Sequence, residues 1–315
     1  MIIKEPDNQK KHLKNICFTK AGRVAFSHML KTIFSATDKK ILMPSYIGET
    51  DKEGSGVFDP VRENKVPFGF YLIKEDLSAN MEDLESKILS GQYKVLLIIH
   101  YFGFVQNDME KLCSICKKND VILIEDCAHS FFSSYRGTNI GEWGDLSFFS
   151  IHKIIAAPDG GYFRINNDKI EIAEINYDSQ NLKAITLEQF IRTDYEKINT
   201  IRRLNYQKYL DSFLNTDLLG IRPLYPELPI GIIPLNFPII IKDGYREKLY
   251  FKLIERGIVT CSLYYRMVKE IDRNLFPVSY EISSSILNLP THQDTNFTDI
   301  DTIIFRIKES IAEIK

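Results

Sequence analysis

Cysteine is scarce in this 315-residue chain: there are five, an odd number without framework spacing. That argues against a disulfide-stapled secreted fold and for reduced thiols in the cytoplasm. A dominant charge is also missing, since 40 Lys and Arg stand against 42 Asp and Glu, a net −2. No basic field therefore argues for a nucleic-acid partner. Apolar runs such as Val95 to Ile99 fall far short of the ~20 residues that span a bilayer. The start from Met1 to Lys14 is polar and charged, so neither a signal peptide nor a membrane anchor is expected. Repeats and low-complexity tracts are absent, and the single Trp143 and the many Phe and Tyr residues read most simply as core.

What is present is length and pattern. At ~150 residues per domain the chain has room for two domains, or one large domain and a smaller one. From Cys17 to about Ile165, short β-branched runs alternate with helical stretches, which predicts βαβ units around a mainly parallel sheet. The clearest strands are Lys40 to Met43, Lys94 to Ile99 and Val121 to Glu125. Between the last two, Met109, Leu112, Cys113 and Cys116 have the spacing of an amphipathic helix. Cys113 and Cys116 form a C-x-x-C inside that helix, with no second pair or His cluster to complete a metal site; they read as packed helix cysteines, and no metal is expected.

Leu146 to Ser150 and Gly161 to Ile165 predict two more strands, and Tyr195 to Leu214 a long helix with Ile198, Ile201, Leu204 and Tyr209 on its inner side. After Pro223, Pro226 and Pro229 come a strand at Asn236 to Ile241, a helix at Arg246 to Arg256 closed by Gly257, a strand at Ile258 to Leu263 and a last helix from Asp299 to Ile314. The expected division is a large domain over residues 1–200, whose N-terminal segment packs on the smaller one, and a C-terminal α+β domain over 201–315.

Three features carry chemistry. The apolar strand from Val121 ends in Glu125 and Asp126, placing a carboxylate at the carboxyl edge of a parallel sheet, where α/β proteins bind ligands; an acid there equally serves as a helix cap. Lys153 follows, flanked by Ile151, Ile154 and Ile155. Burial lowers an ammonium's pKa, as a nucleophilic lysine requires, and the plainer reading is a snorkelling strand-edge lysine. Ala21-Gly22-Arg23 precedes a helix, whose free N–H groups either cradle a phosphate or are simply capped. Taken together, a phosphate cradle, an acid for a pyridinium nitrogen and an imine-forming amine are the set that pyridoxal phosphate (PLP) requires.

On these residues the chain resembles the DegT/DnrJ/StrS family of sugar aminotransferases, fold-type-I enzymes that use PLP. The resemblance is carried by Ala21-Gly22-Arg23, ILMPSY at Ile41 to Tyr46, HYFGF at His100 to Phe104, IEDCAHS at Ile124 to Ser130, GDLSFFSIHK at Gly144 to Lys153, DGG at Asp159 to Gly161, RRLNY at Arg202 to Tyr206 and ILNLPTHQD at Ile286 to Asp294. It implies that Asp126 pairs with the pyridinium nitrogen and that His129 lies against the hydroxyl face of the ring. It also implies that Lys153 is the Schiff-base lysine and proton shuttle, and that Ser150 with the amides of Gly22 and Arg23 binds the phosphate. The implied activity moves an amino group from an amino acid, with glutamate expected, to a nucleotide-linked keto sugar for amino-sugar or surface-polysaccharide synthesis, in a homodimer that shares its sites. A transaminase of another small carbonyl compound and a non-catalytic sugar-nucleotide or partner-binding homologue are the alternatives.

The chain departs from the family at three places. Ser150 stands three residues before Lys153 where the family commonly has five, so Ser147 competes as phosphate ligand. The residue four after the proline, an aromatic in the family, is Gly48, and Tyr46 is the candidate replacement. The G-x-N-x-R-like segment that follows the Asn167 position in the family is not found. Some relatives dehydrate a sugar with histidine in place of the lysine; His152 is one residue out of register for that and Lys153 is in register. His100 reads as a core or supporting histidine, while for His292 a place near the cleft and a surface turn stay equally open.

Overall fold

Alternating apolar runs and amphipathic stretches resolve into two sheets wrapped by helices in a computed structural model that describes residues 15–172, 182–214 and 220–314. The N-terminal half contains β1 (Ile16–Thr19), α1 (Gly22–Phe34), β2 (Lys40–Pro44), α2 (Phe58–Glu63), β3 (Phe68–Tyr71), α3 (Met81–Leu89), β4 (Tyr93–Ile99), α4 (Met109–Lys118), β5 (Ile122–Asp126), the short hairpin β6 (Ser134–Tyr135) and β7 (Thr138–Asn139), β8 (Leu146–Ser150) and β9 (Gly161–Ile165). Then come α5 (Ala184–Arg192), α6 (Tyr195–Leu214), β10 (Ile221–Pro223), β11 (Asn236–Ile241), α7 (Arg246–Glu255), α8 (Pro277–Ser285), β12 (Ile286–Pro290) and α9 (Phe297–Ile314).

The large sheet has seven strands in the order β1-β9-β8-β5-β4-β2-β3. Strands β3, β2, β4, β5 and β8 run parallel, and β9 and β1 add an antiparallel edge. Strand β4 is buried on both faces from Leu96 to Ile99, as a parallel strand covered by helices must be. Helix α1 buries Ala25, Phe26, Met29, Leu30 and Ile33, a single stripe at helical spacing. Phe26 stacks on Phe148 of β8 with ring centroids 4.8 Å apart.

The second sheet, β10-β11-β12, is antiparallel, and α6 and α7 both pack against α9. Asn296 and Asp299 cap α9 reciprocally, each backbone N–H donating to the other's side chain at 2.9 and 3.0 Å. The helix therefore begins at Phe297 rather than at Asp299. Gly257 closes α7 at φ +76°, a left-handed turn that glycine takes without steric cost.

Two expectations are corrected. Ile258 to Leu263 is not a strand: its backbone pairs with β12 at the single bridge of Cys261, whose N–H and C=O both pair with Asn288, and the chain then turns toward the large sheet. Leu204 is not on the inner side of α6 but 51% exposed. That helix instead buries Arg202 and Asn205, whose side chains donate to the carbonyls of Leu235 and Thr295 at 2.9 and 2.8 Å, so polar groups take positions an apolar stripe would assign to leucine. The expected packing of the N-terminal segment falls on residues outside those described.

Close backbone approach fixes where α1 begins. A Cβ on Gly161 would lie 2.3 Å from Gly22 N and 2.8 Å from the Phe149 carbonyl, so β9 and the first turn of α1 meet only because this residue is glycine. Gly161→Ala is expected to cost about 1–3 kcal/mol in urea denaturation, and an unchanged midpoint would contradict the tight junction.

Candidate active site

The carboxyl ends of β2, β4, β5 and β8 converge on one edge of the large sheet, and the order β3-β2-β4-β5-β8 changes winding direction between β2 and β4, where open α/β sheets bind ligands. Pro44 to Tyr46 leaves β2 there, His100 follows β4, Asp126 ends β5 and Ser150 ends β8. A cleft of about 760 Å³ opens above this edge. Its floor carries His129 and Lys153, and its far wall comes from the C-terminal half through Arg246, Tyr250, Cys261 and Tyr264.

Neighbouring acids on β5 point to opposite faces, as strand geometry demands. Glu125 is fully buried and accepts from the backbone amides of Gly141, Trp143 and Gly144 at 3.1, 2.9 and 2.7 Å, while His100 Nε2 lies 3.0 Å away. Asp126 has a lighter load: the Ala128 amide donates to Oδ1 at 2.9 Å, and the buried carboxylate lies close enough to Lys153 to feel its charge. Burial pushes its pKa up, and the positive charge of Lys153 pulls it back. The strand pattern alone does not separate the two acids, and the family resemblance points to Asp126. The structure makes Glu125 the clamp and Asp126 the free acid.

Lys153 ends a single 3₁₀ turn, Ile151 to Lys153, held by Ile151 N–H donating to Gly160 O at 3.0 Å. Its side chain is open to the cleft, but the surrounding walls strip enough water to lower its pKa, against the attraction of Asp126 and with help from Arg23. His129 is buried. Its Nδ1 accepts from Phe102 N–H at 3.2 Å, which puts the proton on Nε2 when the ring is neutral. Burial, reinforced by Lys153, lowers its pKa well below the ordinary value, so a neutral ring is the form at pH 7.

The expected cradle residues at α1 stand next to one another. Ser150 is buried, and a Cβ on Gly22 would lie 3.6 Å from its Cβ, so the first turn of the helix sits directly beside the end of β8. No side chain caps α1, whose N-cap is Ala21, which leaves the first-turn amides available to an anion. The Arg23 guanidinium turns aside to Glu53 O at 2.9 Å, so only its backbone faces the cradle.

Two candidates are not brought to the cleft. Ser147 lies on the other face of β8, fully buried, with its hydroxyl donated to Gly141 O at 2.8 Å. Tyr46 is fully buried beneath Tyr264, with ring centroids 5.2 Å apart, and has no open face. Tyr264 is the aromatic residue that sequence reasoning missed; the signal was the glycine at 48 paired with an unassigned Tyr264-Tyr265.

Gln293 was missed too. Its Nε2 donates to Ile154 O at 3.2 Å, and buried Arg202 donates to its Oε1 at 3.2 Å, which ties α6 to the Lys153 segment. His292 is half exposed and does not line the cleft. A larger cavity, about 910 Å³ and lined by Cys113, Cys116 and Asp145, lies at the opposite end of β5 and contains none of Asp126, His129, Ser150 and Lys153. Burial holds both thiols protonated, at about 11 and about 12.

This fold is that of sugar aminotransferases. The chain superposes on Spr1654 of Streptococcus pneumoniae, described as a sugar aminotransferase and solved in PLP and PMP forms, with a TM-score of 0.81 at 16% identity over 97% of this chain and 90% of that one for the PLP form. It also superposes on Helicobacter pylori PseC, an aminotransferase of pseudoaminic acid biosynthesis, with a TM-score of 0.77 at 17% identity over 95% of this chain and 87% of that one. A profile of the DegT/DnrJ/EryC1/StrS aminotransferase family matches residues 70–188.

The UDP-4-amino-4,6-dideoxy-N-acetyl-beta-L-altrosamine transaminase of Campylobacter jejuni is 30% identical over 292 residues, 78% of this chain and 74% of that protein. The chain belongs to the DegT/DnrJ/EryC1/StrS aminotransferase family. With GDP-perosamine synthase of Escherichia coli O157:H7 the identity is 35% over 97 residues, which cover 30% of this chain and 26% of that enzyme; the aligned stretch is thus about a quarter of the synthase's length. No described helix is long and apolar enough to cross a membrane.

Two measurements check the electrostatics. Glu125→Gln places donors among three amide N–H groups and is expected to cost about 3 kcal/mol in chemical unfolding; wild-type stability would contradict the clamp. For Lys153, between its lowered native pKa and the ordinary 10.5 the unfolded chain holds a proton that the folded chain has released. Stability therefore rises with pH through that window. Thermal midpoints of cofactor-free protein across alkaline pH should show this rise flattened in Lys153→Met, and parallel curves would contradict it.

Proposed function

We propose that this protein is a PLP-dependent aminotransferase that moves an amino group from an amino acid, with glutamate as donor, to a keto sugar carried on a nucleotide. It would serve amino-sugar or surface-polysaccharide synthesis as a cytoplasmic homodimer. The observation that carries the reading is that Lys153 and His129 line one cleft, with buried Asp126 close enough to Lys153 to feel its charge and an uncapped helix start beside the end of β8. The names of the relatives support the sugar class, and five unpaired cysteines support a reducing compartment.

The residues present fit the cofactor. The first-turn amides of α1, at Gly22 and Arg23, and the Ser150 hydroxyl would hold its phosphate; Asp126 would accept from the ring nitrogen and His129 would lie against the ring; Lys153 would bond its aldehyde carbon. When bound, PLP supplies an electron sink for the carbanion formed at the substrate carbon.

This chain's own groups then do the following. Asp126, buried and short of hydrogen-bond donors, keeps a proton on the atom it faces. Lys153 Nζ, lowered in pKa by its surroundings, takes a proton from the amino-bearing carbon of the donor, then delivers one to the carbonyl carbon of the acceptor. His129 donates from Nε2 without carrying charge. Its Nδ1 is fixed by Phe102 N–H, so the direction of that donation does not drift.

Purified protein supplied with PLP is expected to turn yellow, with visible absorption lost in Lys153→Ala, and glutamate followed by a keto-sugar nucleotide should carry out the two half-reactions in turn. Protein that stays colourless with added PLP would sink the reading. Discharge by simple keto acids but by no keto sugar would move it to the other carbonyl class.

A further inference from the structure

Two bulky aromatic residues that touch His129 hold left-handed backbone conformations. Phe102 stands at φ +59° and Tyr264 at φ +61°, a region where large side chains are outliers and where strain persists only if the surroundings demand it. Phe102 has an evident duty, because its amide fixes His129 Nδ1. For Tyr264 the fold offers none: glycine or asparagine would make the same turn at lower cost.

The position of Tyr264 is closely determined. Its loop is pinned to the large sheet by Glu49 N–H to Arg266 O and Val268 N–H to Ile47 O, each 3.0 Å, and to β12 at Cys261. The ring sits 5.2 Å from that of Tyr46, 5.6 Å from Tyr101 and 6.0 Å from His129. It is half-buried, with part of its surface on the cleft beside Lys153. Gly48 leaves room for it: a Cβ there would lie 2.9 Å from Tyr264 Cα and 2.9 Å from Cδ1. Any side chain at 48 would thus evict the tyrosine, and the two positions form one complementary pair.

We propose that Tyr264 is the aromatic face against which the cofactor ring lies, a side chain that the C-terminal half lends to the cleft through the space Gly48 leaves. This rests on the PLP reading above. An aromatic ring recognises another by offset or edge contact, worth a few-fold in affinity beyond the area it covers, and Tyr264 is the aromatic residue on the cleft wall that also contacts His129. Asp126 lies near enough to add to burial in raising the tyrosine hydroxyl's pKa.

The test measures PLP binding and the visible circular dichroism of bound PLP for wild type, Tyr264→Phe and Tyr264→Leu, with thermal unfolding of the cofactor-free proteins as the folding control. Phe keeps the face and is expected to match wild type in both readouts. Leu keeps apolar bulk and removes the face, and is expected to bind PLP about 3- to 10-fold more weakly with a diminished dichroic band. Leu and Phe variants that bind alike, with the same band, overturn the inference while the PLP reading stands. Wild-type protein that takes up no PLP overturns both.

Discussion

The site depends on the separation of two adjacent carboxylates by the pleat of a single strand. Glu125 and Asp126 end β5 and face opposite ways. One is saturated by three backbone amides and His100, and the other accepts from the Ala128 amide. A buried carboxylate is costly unless its lone pairs are met, and Glu125 meets that condition by pinning the Gly141 to Gly144 loop under the sheet. That loop leads directly into β8, which pairs with β5 through Glu125–Ser147 and Asp126–Phe148 and delivers Ser150 and Lys153 at its far end. A one-residue slip would exchange the acids, exposing the clamp and burying the functional group.

Much of this was legible in the sequence because it is local. Strands β4, β5 and β8 and helix α4 follow from runs and spacings of a few residues, as do the acid pair Glu125-Asp126, Lys153 and the helix start at Gly22 as candidates, whereas His129, Ser150 and the choice of Asp126 come from the family resemblance. The misreadings lay where long-range contacts decide. Ser147 and Ser150 are alike as letters, and only the parity of β8 shows that Ser147 spends its hydroxyl on Gly141 O. Leu204 looked like an inner residue, yet α6 gives two of its buried positions to Arg202 and Asn205 because carbonyls just before β11 and in the loop after β12 stand opposite. Ile258 to Leu263 has the composition of a strand, but it meets Asn288 at Cys261 alone, and the chain just beyond it is drawn to Ile47 and Glu49 through Val268 and Arg266, which makes it part of a cleft wall.

That wall connects the two halves of the molecule. The C-terminal half reaches the cleft through the Cys261 to Val268 loop and through Gln293, whose amide donates to the carbonyl beside Lys153. Arg202 stands behind Gln293, deeply buried and with its pKa lowered to about 10 by desolvation. The lysine segment is therefore braced from the C-terminal sheet, and neither half completes the site alone.

The electrostatics of Lys153 and Asp126 show why this arrangement suits a charged, aromatic partner. Each group is shifted toward its neutral form by its surroundings, and each is partly rescued by the other. The pair is thus the best compromise available to the chain by itself, not a strong ion pair. A ligand that offers a cation to Asp126 and converts the lysine amine to a neutral bonded nitrogen would remove both penalties at once, so part of its binding free energy would come from strain already present in the protein. Arg23 adds to the same pressure, since its charge lowers the Lys153 pKa further while its backbone amide belongs to the anion cradle. An anion at the uncapped start of α1 and a cationic ring nitrogen at Asp126 would match the helix dipole at one end of a partner and the buried acid at the other.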